Sequence, residues 1–163
     1  MPTGRQTFFI KLSEGGTYVA LVNLGCGIHI WWTNSGDDTF ISITDVDNIL
    51  DLSLSADLAH LVAVAVHKMI IISDILSSNI LQRLACESFN TMHISLDGSL
   101  VVSIASGYEG TTQLWSRTRG ILLATLEHTD RTTKSPAFSH TNHLYITTNS
   151  GGGSVWDMLV EHD

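Results

Sequence analysis

A short segment occurs four times along this 163-residue chain: an apolar residue, a serine, a polar turn and then an apolar run. The serines are Ser13, Ser55, Ser95 and Ser139, at spacings of 42, 40 and 44 residues. A period of about 40 to 45 residues is typical of arrays in which each repeat is one small antiparallel sheet. The repeat therefore predicts about four similar sheets, which bury their broad faces only by stacking on one another.

The turn in each repeat has the composition of a β-hairpin. In the third repeat the turn is Ser95-Leu96-Asp97-Gly98, and Asp-Gly tolerates the positive φ values that a tight reversal needs. The four turns align without gaps, so each serine is predicted to lie where a first strand turns into a second. The second strands, such as 61–66, are apolar on both faces, which indicates strands covered from both sides.

A third apolar segment follows each hairpin, and it ends in Trp115 and Trp156 in the last two repeats. A fourth segment is apparent in the first three repeats, where its alternating pattern predicts an outer strand with one face toward solvent. The four units are predicted at residues 7–43, 49–84, 91–126 and 134–160. The predicted fold class is therefore all-β, with four-stranded antiparallel units.

These residues resemble the WD40-repeat propellers. The third repeat, from Ile94-Ser95-Leu96-Asp97-Gly98 through Ser103 to Leu114-Trp115, is similar to a WD40 blade, and the fourth ends in Trp156-Asp157, the dipeptide that names the family. The loop Leu126-Glu127-His128-Thr129-Asp130 is similar to the family's Gly-His loop, with Glu127 in place of glycine. The resemblance extends over about residues 7–160.

The resemblance implies a WD40-like β-propeller and, within it, a structural set of hydrogen-bonded side chains. In the family this set joins an entry-loop histidine, a second-strand serine or threonine, a turn aspartate and the tryptophan. Carried over by position, the set in the fourth unit comprises His128, Thr147 and Trp156. Two departures are evident: the turn before Trp156 has no aspartate, and Ser73 stands where the second repeat would carry its tryptophan.

Four blades are few for a closed ring, because members of the family usually close with about seven or more. The chain is therefore predicted to form an incomplete or open ring, whose two end sheets expose apolar faces. Three explanations compete: a segment of a longer propeller, two copies that together complete a ring, or another subunit that supplies the missing blades. Because the sequence ends just after a third strand, we favour the first.

Composition and charge indicate a compact domain, with 44% hydrophobic and 15% charged residues. The 16 acidic residues outnumber the 8 basic ones, which disfavours nucleic acid and anionic lipid as direct partners. The N-terminus lacks the apolar core of a signal peptide, and the longest apolar stretch, 61–72, is too short to span a bilayer. Cys26 and Cys86 cannot form a disulfide framework. A cytoplasmic or nuclear location is expected.

The sequence gives little support for catalysis. Gly25-Cys26-Gly27 and Gly151-Gly152-Gly153 precede strands rather than a helix, so they are interpreted as turns and not as phosphate loops. Asp37-Asp38 is interpreted as a solvated acidic turn. Four residues of the types that bind zinc come from successive units whose loops diverge: Cys26, His67, Cys86 and His128. We therefore expect no enzymatic activity, no cofactor and no metal.

Function is expected to lie in surface recognition. The resemblance implies a scaffold for protein-protein interaction, which acts within a larger assembly or a longer chain and binds proteins or peptides through one loop face. Aromatic and arginine side chains are frequent interface anchors. The candidate residues on the entry loops and second-to-third-strand turns are Tyr108, Glu109, Asp130, Arg131 and Lys134.

Two other functions remain open. Such arrays resemble the sensor regions of NACHT-type regulatory ATPases, whose nucleotide-binding module would have to lie elsewhere in a longer polypeptide. A propeller lectin or hydrolase would need clustered acids or metal ligands, and no such cluster is evident in the sequence.

Overall fold

The structure is a computed structural model, which describes residues 7–23, 27–43, 49–56, 60–65, 69–86, 91–104, 111–127, 133–139, 141, 143–148 and 153–156. Regular structure in these ranges is β, apart from one 3-10 turn at Glu14–Gly16. The predicted all-β class is confirmed. Within the same ranges, no helical segment has the length and apolar character that crossing a bilayer would require.

The described strands form four antiparallel sheets, and in each sheet the strands pair in sequence order. Sheet 1 contains β1 (Thr7–Leu12), β2 (Tyr18–Asn23), β3 (Gly27–Trp32) and β4 (Asp38–Ser42). Sheet 2 contains β5 (Ile49–Leu54), β6 (His60–Ala65), β7 (Met69–Asp74) and β8 (Ile80–Ala85). Sheet 3 contains β9 (Thr91–Ile94), β10 (Leu100–Ile104), β11 (Thr111–Ser116) and β12 (Ile121–Glu127). Sheet 4 contains β13 (Thr133–Phe138), β14 (Leu144–Thr148) and β15 (Gly153–Trp156).

The recurring serine closes the first hairpin of a sheet. In sheet 3 the Ser95 amide donates to the Leu100 carbonyl, and the buried Ser95 Oγ accepts from the Leu100 amide, both at 2.9 Å. Ser13 and Tyr18 make the same two bonds in sheet 1, at 3.0 and 3.1 Å. Gly98 permits the reversal with a φ of 68°. The serine period is thus explained, since the hydroxyls of Ser13, Ser95 and Ser139 each accept from an amide at or next to the start of a second strand.

The hairpin of sheet 4 is one residue shorter than the others, contrary to the gap-free alignment expected from the sequence. The Ser139 amide donates to the His143 carbonyl, four residues on, whereas Ser95 bonds to a residue five positions on. Leu144 therefore occupies the position that Val101 holds in sheet 3. A shift of one residue along a strand moves each following side chain to the opposite face.

Consecutive sheets pack face to face through three separate apolar clusters. Ile71 of sheet 2 faces sheet 1, whereas its neighbours Ile70 and Ile72 face sheet 3, so a single strand contributes to two clusters. Leu114 of sheet 3 in turn packs with Ile146 of sheet 4. In each sheet we name the side that faces the next sheet along the chain the front face, and the opposite side the back face.

The pairing register makes positions in different sheets directly comparable. Trp31 pairs with Val19, Ser73 with Leu61, Trp115 with Val101 and Trp156 with Leu144, and these four pairs hold the same place in sheets 1 to 4. Ser73 therefore stands at the tryptophan position of sheet 2. The sheets approach one another along their first strands, because β1 lies beside β5, β5 beside β9 and β9 beside β13.

Candidate functional site

Most of the predicted partner-binding residues lie outside the described residues. Tyr108, Glu109, Asp130 and Arg131 all belong to this group. Lys134 lies in β13, between Thr133 and Pro136, where the pairing with β14 is irregular. The assignment of this loop face to partner binding stays a prediction.

The predicted hydrogen-bonded set of the fourth unit is only partly described. His128 lies outside the described residues, and Trp156 ends β15 opposite Leu144. Thr147 is exposed on β14, and the register places Ile146 rather than Thr147 at the position of Ser103. The set as a whole stays a prediction.

A tryptophan-to-serine hydrogen bond of the expected kind is present in sheet 3 instead. The indole Nε1 of Trp115 donates to Ser103 Oγ at 3.3 Å, and both residues are buried. They lie on adjacent strands and face sheet 2. The sequence contained the signal, because Ser103 and Trp115 both belong to the repeat that most resembles a WD40 unit.

Sheet 2 carries Ser73 at the equivalent of Trp115. The Ser73 side chain is fully buried, and its Oγ has no hydrogen-bond partner among the described residues. A buried hydroxyl without a partner destabilises the folded state by about 1 to 3 kcal/mol relative to a satisfied one. Within the described residues, sheet 2 therefore carries a buried, unsatisfied hydroxyl at the position where sheets 1, 3 and 4 carry tryptophan.

A cluster of polar side chains lies along the neighbouring first strands, and we name it the inner-strand cluster: Lys11, Asp51, Thr91 and His93. The Asp51 carboxylate is at its centre. Lys11 Nζ lies 3.4 Å from Asp51 Oδ1, and Thr91 Oγ1 donates to Asp51 Oδ2 at 3.0 Å. These contacts join β1, β5 and β9, which belong to three different sheets.

The same carboxylate also satisfies backbone donors. Asp51 Oδ1 accepts from its neighbour, the Leu52 amide, at 2.8 Å, and Oδ2 accepts from the Met92 amide at 3.1 Å. Two residues further along both strands, the Ile94 amide donates to Ser53 Oγ at 3.2 Å. At the place of Met92, β13 carries Pro136, which has no amide hydrogen. Side chains thus protect the free edge of a first strand, which would otherwise expose unpaired donors.

This geometry suits a structural role. Both oxygens of Asp51 accept hydrogen bonds, and only 13% of its side chain is exposed, so the carboxylate is committed to holding sheets together. The pKa of His93 is lowered from its ordinary value of 6.5, mainly by burial and further by Lys11, against the opposing effect of Asp51. Burial therefore favours the neutral form of the His93 imidazole.

The inner-strand cluster was missed in the sequence although a signal exists. Asp51 and Thr91 each lie four residues before the serine of their repeat and hold equivalent register positions. Lys11 lies two residues before Ser13, at the position of His93. Polar residues at such positions on first strands are brought together when the sheets stack.

The possible zinc ligands are not assembled in the part of the chain that the structure describes. Cys86 packs in the apolar cluster between sheets 2 and 3, where burial raises its pKa to about 12 against a smaller lowering by a backbone hydrogen bond from Ile70. Cys26, His67 and His128 lie outside the described residues. No three His, Cys, Asp or Glu side chains within the described ranges form a group that could hold a metal ion.

The two ends of the array expose apolar side chains, as the sequence predicted for an open array. On the back face of sheet 1, Leu12 is 63% exposed and Trp31 is 45% exposed. On the front face of sheet 4, Tyr145 and Val155 are 40% and 61% exposed. Apolar surface of this kind frequently marks an interaction site.

Comparisons with known proteins do not assign the chain to a family. No protein-family profile matches it, and no curated protein sequence is significantly similar to it. The stacked sheets, their shared register and the contacts described above are therefore the observations from which a function is inferred.

Proposed function

We propose that the chain forms a WD40-type β-propeller array that acts as a non-catalytic scaffold for protein-protein interaction within a larger assembly. The observation that carries this proposal is the repetition of one stacking geometry. Each sheet places its front face on the back face of the next, and the first strands lie side by side. A propeller requires this arrangement, because its first strands surround the axis and its blades diverge outward.

Two local features support the WD40 type. The hydrogen bond from Trp115 to Ser103 joins a third strand to a second strand, as in the set that characterises the family. The serine hairpins of sheets 1 and 3 make the same pair of bonds. The hairpin bonds recur at the period of the repeat, so they belong to the architecture, whereas the bond from Trp115 to Ser103 is described only in sheet 3.

A scaffold role is supported by the way the polar residues are used. The inner-strand cluster links three sheets through Asp51, whose side chain is largely buried. The Asp51 carboxylate therefore contributes to the rigidity of the stacked sheets. Rigid sheets that present loops at their ends are suited to recognition. In the antiparallel order of each sheet, entry loops and second-to-third-strand turns lie at the same end of the strands. Tyr108, Glu109, Asp130, Arg131 and Lys134 are the proposed binding residues at that end.

Quantitative affinity capture tests the scaffold function. We would immobilise the wild-type chain, the double variant Tyr108→Ala with Arg131→Ala, and a control variant, Asn34→Ala with Arg119→Ala. The control changes two exposed residues in third-to-fourth-strand turns, at the opposite end of the strands. Proteins captured from lysate would be compared by mass spectrometry.

We expect the wild type and the control to capture the same proteins, and the loop variant to capture them at least about tenfold less. A tenfold loss of affinity corresponds to about 1.4 kcal/mol of binding free energy. Equal capture by all three chains would exclude this loop face. Capture that does not exceed an empty matrix would contradict the scaffold function.

A further inference from the structure

The exposed front face of sheet 4 corresponds to a face that is buried inside the array. Tyr145 pairs with Val155 on adjacent strands, and the pair at the same register position in sheet 3 is Val102 with Leu114. Val102 and Leu114 are 0% and 4% exposed, because sheet 4 covers them. Sheet 4 thus presents the surface on which another sheet would stack.

The exposed back face of sheet 1 corresponds to a buried face in the same way. Trp31 holds the position of Trp115, which is only 7% exposed beneath sheet 2. Leu12 pairs with Val19 and holds the position of Ile94, which is 5% exposed. None of the described sheets covers this face of sheet 1.

These two ends are complementary to each other. The three interfaces among the four described sheets each place a front face on a back face, and the free ends of these sheets are one front face and one back face. A front face packed on a front face, or a back face on a back face, does not occur among the described sheets. The geometry of the interior therefore indicates a head-to-tail contact.

We propose that two copies of the chain associate head to tail, with the front face of sheet 4 in each copy packed on the back face of sheet 1 in the other. This inference rests on the proposed propeller arrangement. Propellers typically close with 4 to 8 blades, and a head-to-tail contact closes into a ring when the rotation permits. The four described sheets of one copy form an open array. Two copies supply eight such sheets, which lies within the range of closed propellers, and a third copy would raise the number of sheets above that range.

Size-exclusion chromatography with light scattering on the full chain tests the association. The wild type is expected at twice the mass of one 17.8 kDa chain. Leu12→Glu places a charge on the back face, and Val155→Glu places one on the front face, so each variant alone is expected to be a monomer. The matched control is Leu76→Glu in the β7–β8 turn, where the side chain is 75% exposed and away from both end faces. It is expected to remain a dimer.

Mixing the two monomeric variants provides the decisive measurement. The Val155→Glu copy keeps an intact back face, and the Leu12→Glu copy keeps an intact front face, so the mixture can form one native interface. We expect a 1:1 complex that is weaker than the wild-type dimer, because only one of the two interfaces is restored. Far-UV circular dichroism and thermal melts would check that each variant remains folded.

Several outcomes would overturn the proposal. A monomeric wild type would exclude self-association, and an open-ended polymer would exclude closure by two copies. Loss of the dimer in only one of the two variants would indicate contact between like faces, and failure of the mixture to associate would exclude the head-to-tail interface. None of these outcomes depends on Tyr108 or Arg131, so a failure here is distinguishable from a failure of the scaffold function.

Discussion

The carboxylate of Asp51 on β5 accepts a hydrogen bond from the Met92 amide on β9 at 3.1 Å, which joins sheets 2 and 3 at their first strands. The same carboxylate accepts from the Leu52 amide within its own strand. The Leu52 and Met92 side chains are fully buried, so these donors depend on a protein acceptor.

Asp51→Ala should lower the free energy of unfolding by about 2 to 4 kcal/mol, because it leaves two backbone donors without an acceptor. Asp37→Ala, which removes an exposed carboxylate from the β3–β4 turn, should change it by less than about 0.5 kcal/mol. Urea denaturation followed by circular dichroism measures both changes. Equal midpoints for the two variants would contradict a structural role for Asp51.

Two serine-to-alanine substitutions at buried positions should act in opposite directions. Ser103→Ala removes the acceptor of Trp115 Nε1 and should lower the free energy of unfolding by about 1 to 2 kcal/mol. Ser73→Ala removes a buried hydroxyl that has no partner among the described residues, and it should leave stability unchanged or raise it by up to about 1 kcal/mol. Urea midpoints compared with the wild type give both values. A larger loss for Ser73→Ala than for Ser103→Ala would refute this account.

Stability should decline as the pH falls below about 6.5, partly because of His93. The pKa of His93 is lowered in the folded state, first by burial and then by Lys11, so the unfolded chain binds the proton more readily. Its contribution is therefore present above pH 6.5 and is lost as the pH falls toward the folded pKa. His93→Gln should reduce the loss of stability between pH 7 and pH 5, as measured by urea unfolding at both values. The other histidines are retained in the variant, so an unchanged slope would exclude His93 as the source.

Ser78 has a left-handed backbone conformation at a position where sheets 1 and 3 carry glycine. Its φ is 58°, and Gly36 and Gly120 hold the same place in the turns of sheets 1 and 3, with φ values of 75° and 67°. Ser78→Gly should therefore be more stable than Ser78→Ala by about 1 kcal/mol, because only glycine adopts this conformation without a steric cost. Both variants lose the bond between Ser78 Oγ and Thr39 Oγ1, so the comparison isolates the backbone effect. Thermal unfolding of the two variants measures the difference, and equal melting temperatures would contradict it.

The serine period was sufficient to predict the repeated sheets, because the serines mark first hairpins whose backbone amides donate to the serine hydroxyl. The same period could not predict the register of sheet 4. Its hairpin is one residue shorter, and a shift of one residue exchanges the two faces of a strand. This exchange brings Ile146, and not Thr147, to the position of Ser103. The length of a turn is set by its own hydrogen bonds, which the spacing of the serines does not reveal.

The inner-strand cluster illustrates a different limit. Sequence spacing shows that Asp51 and Thr91 hold the same place before Ser55 and Ser95, but only the packing of the first strands shows that the Asp51 carboxylate contacts both Thr91 and Lys11. The sequence also could not predict that the edge amides of β9 donate to side chains of β5. Whether an edge amide needs a side-chain acceptor depends on which strand lies next to it.

The division of the core into three separate clusters has a consequence for how the molecule melts. Within one chain an outer sheet is held by one cluster and an inner sheet by two, so once the two proposed copies separate, the end sheets should fray at lower denaturant concentrations than the middle ones. Cooperativity of unfolding is therefore transmitted only between neighbouring sheets, as in a row of coupled units. In hydrogen exchange, β7 and β10 should retain their amide hydrogens longest, because they belong to the two inner sheets.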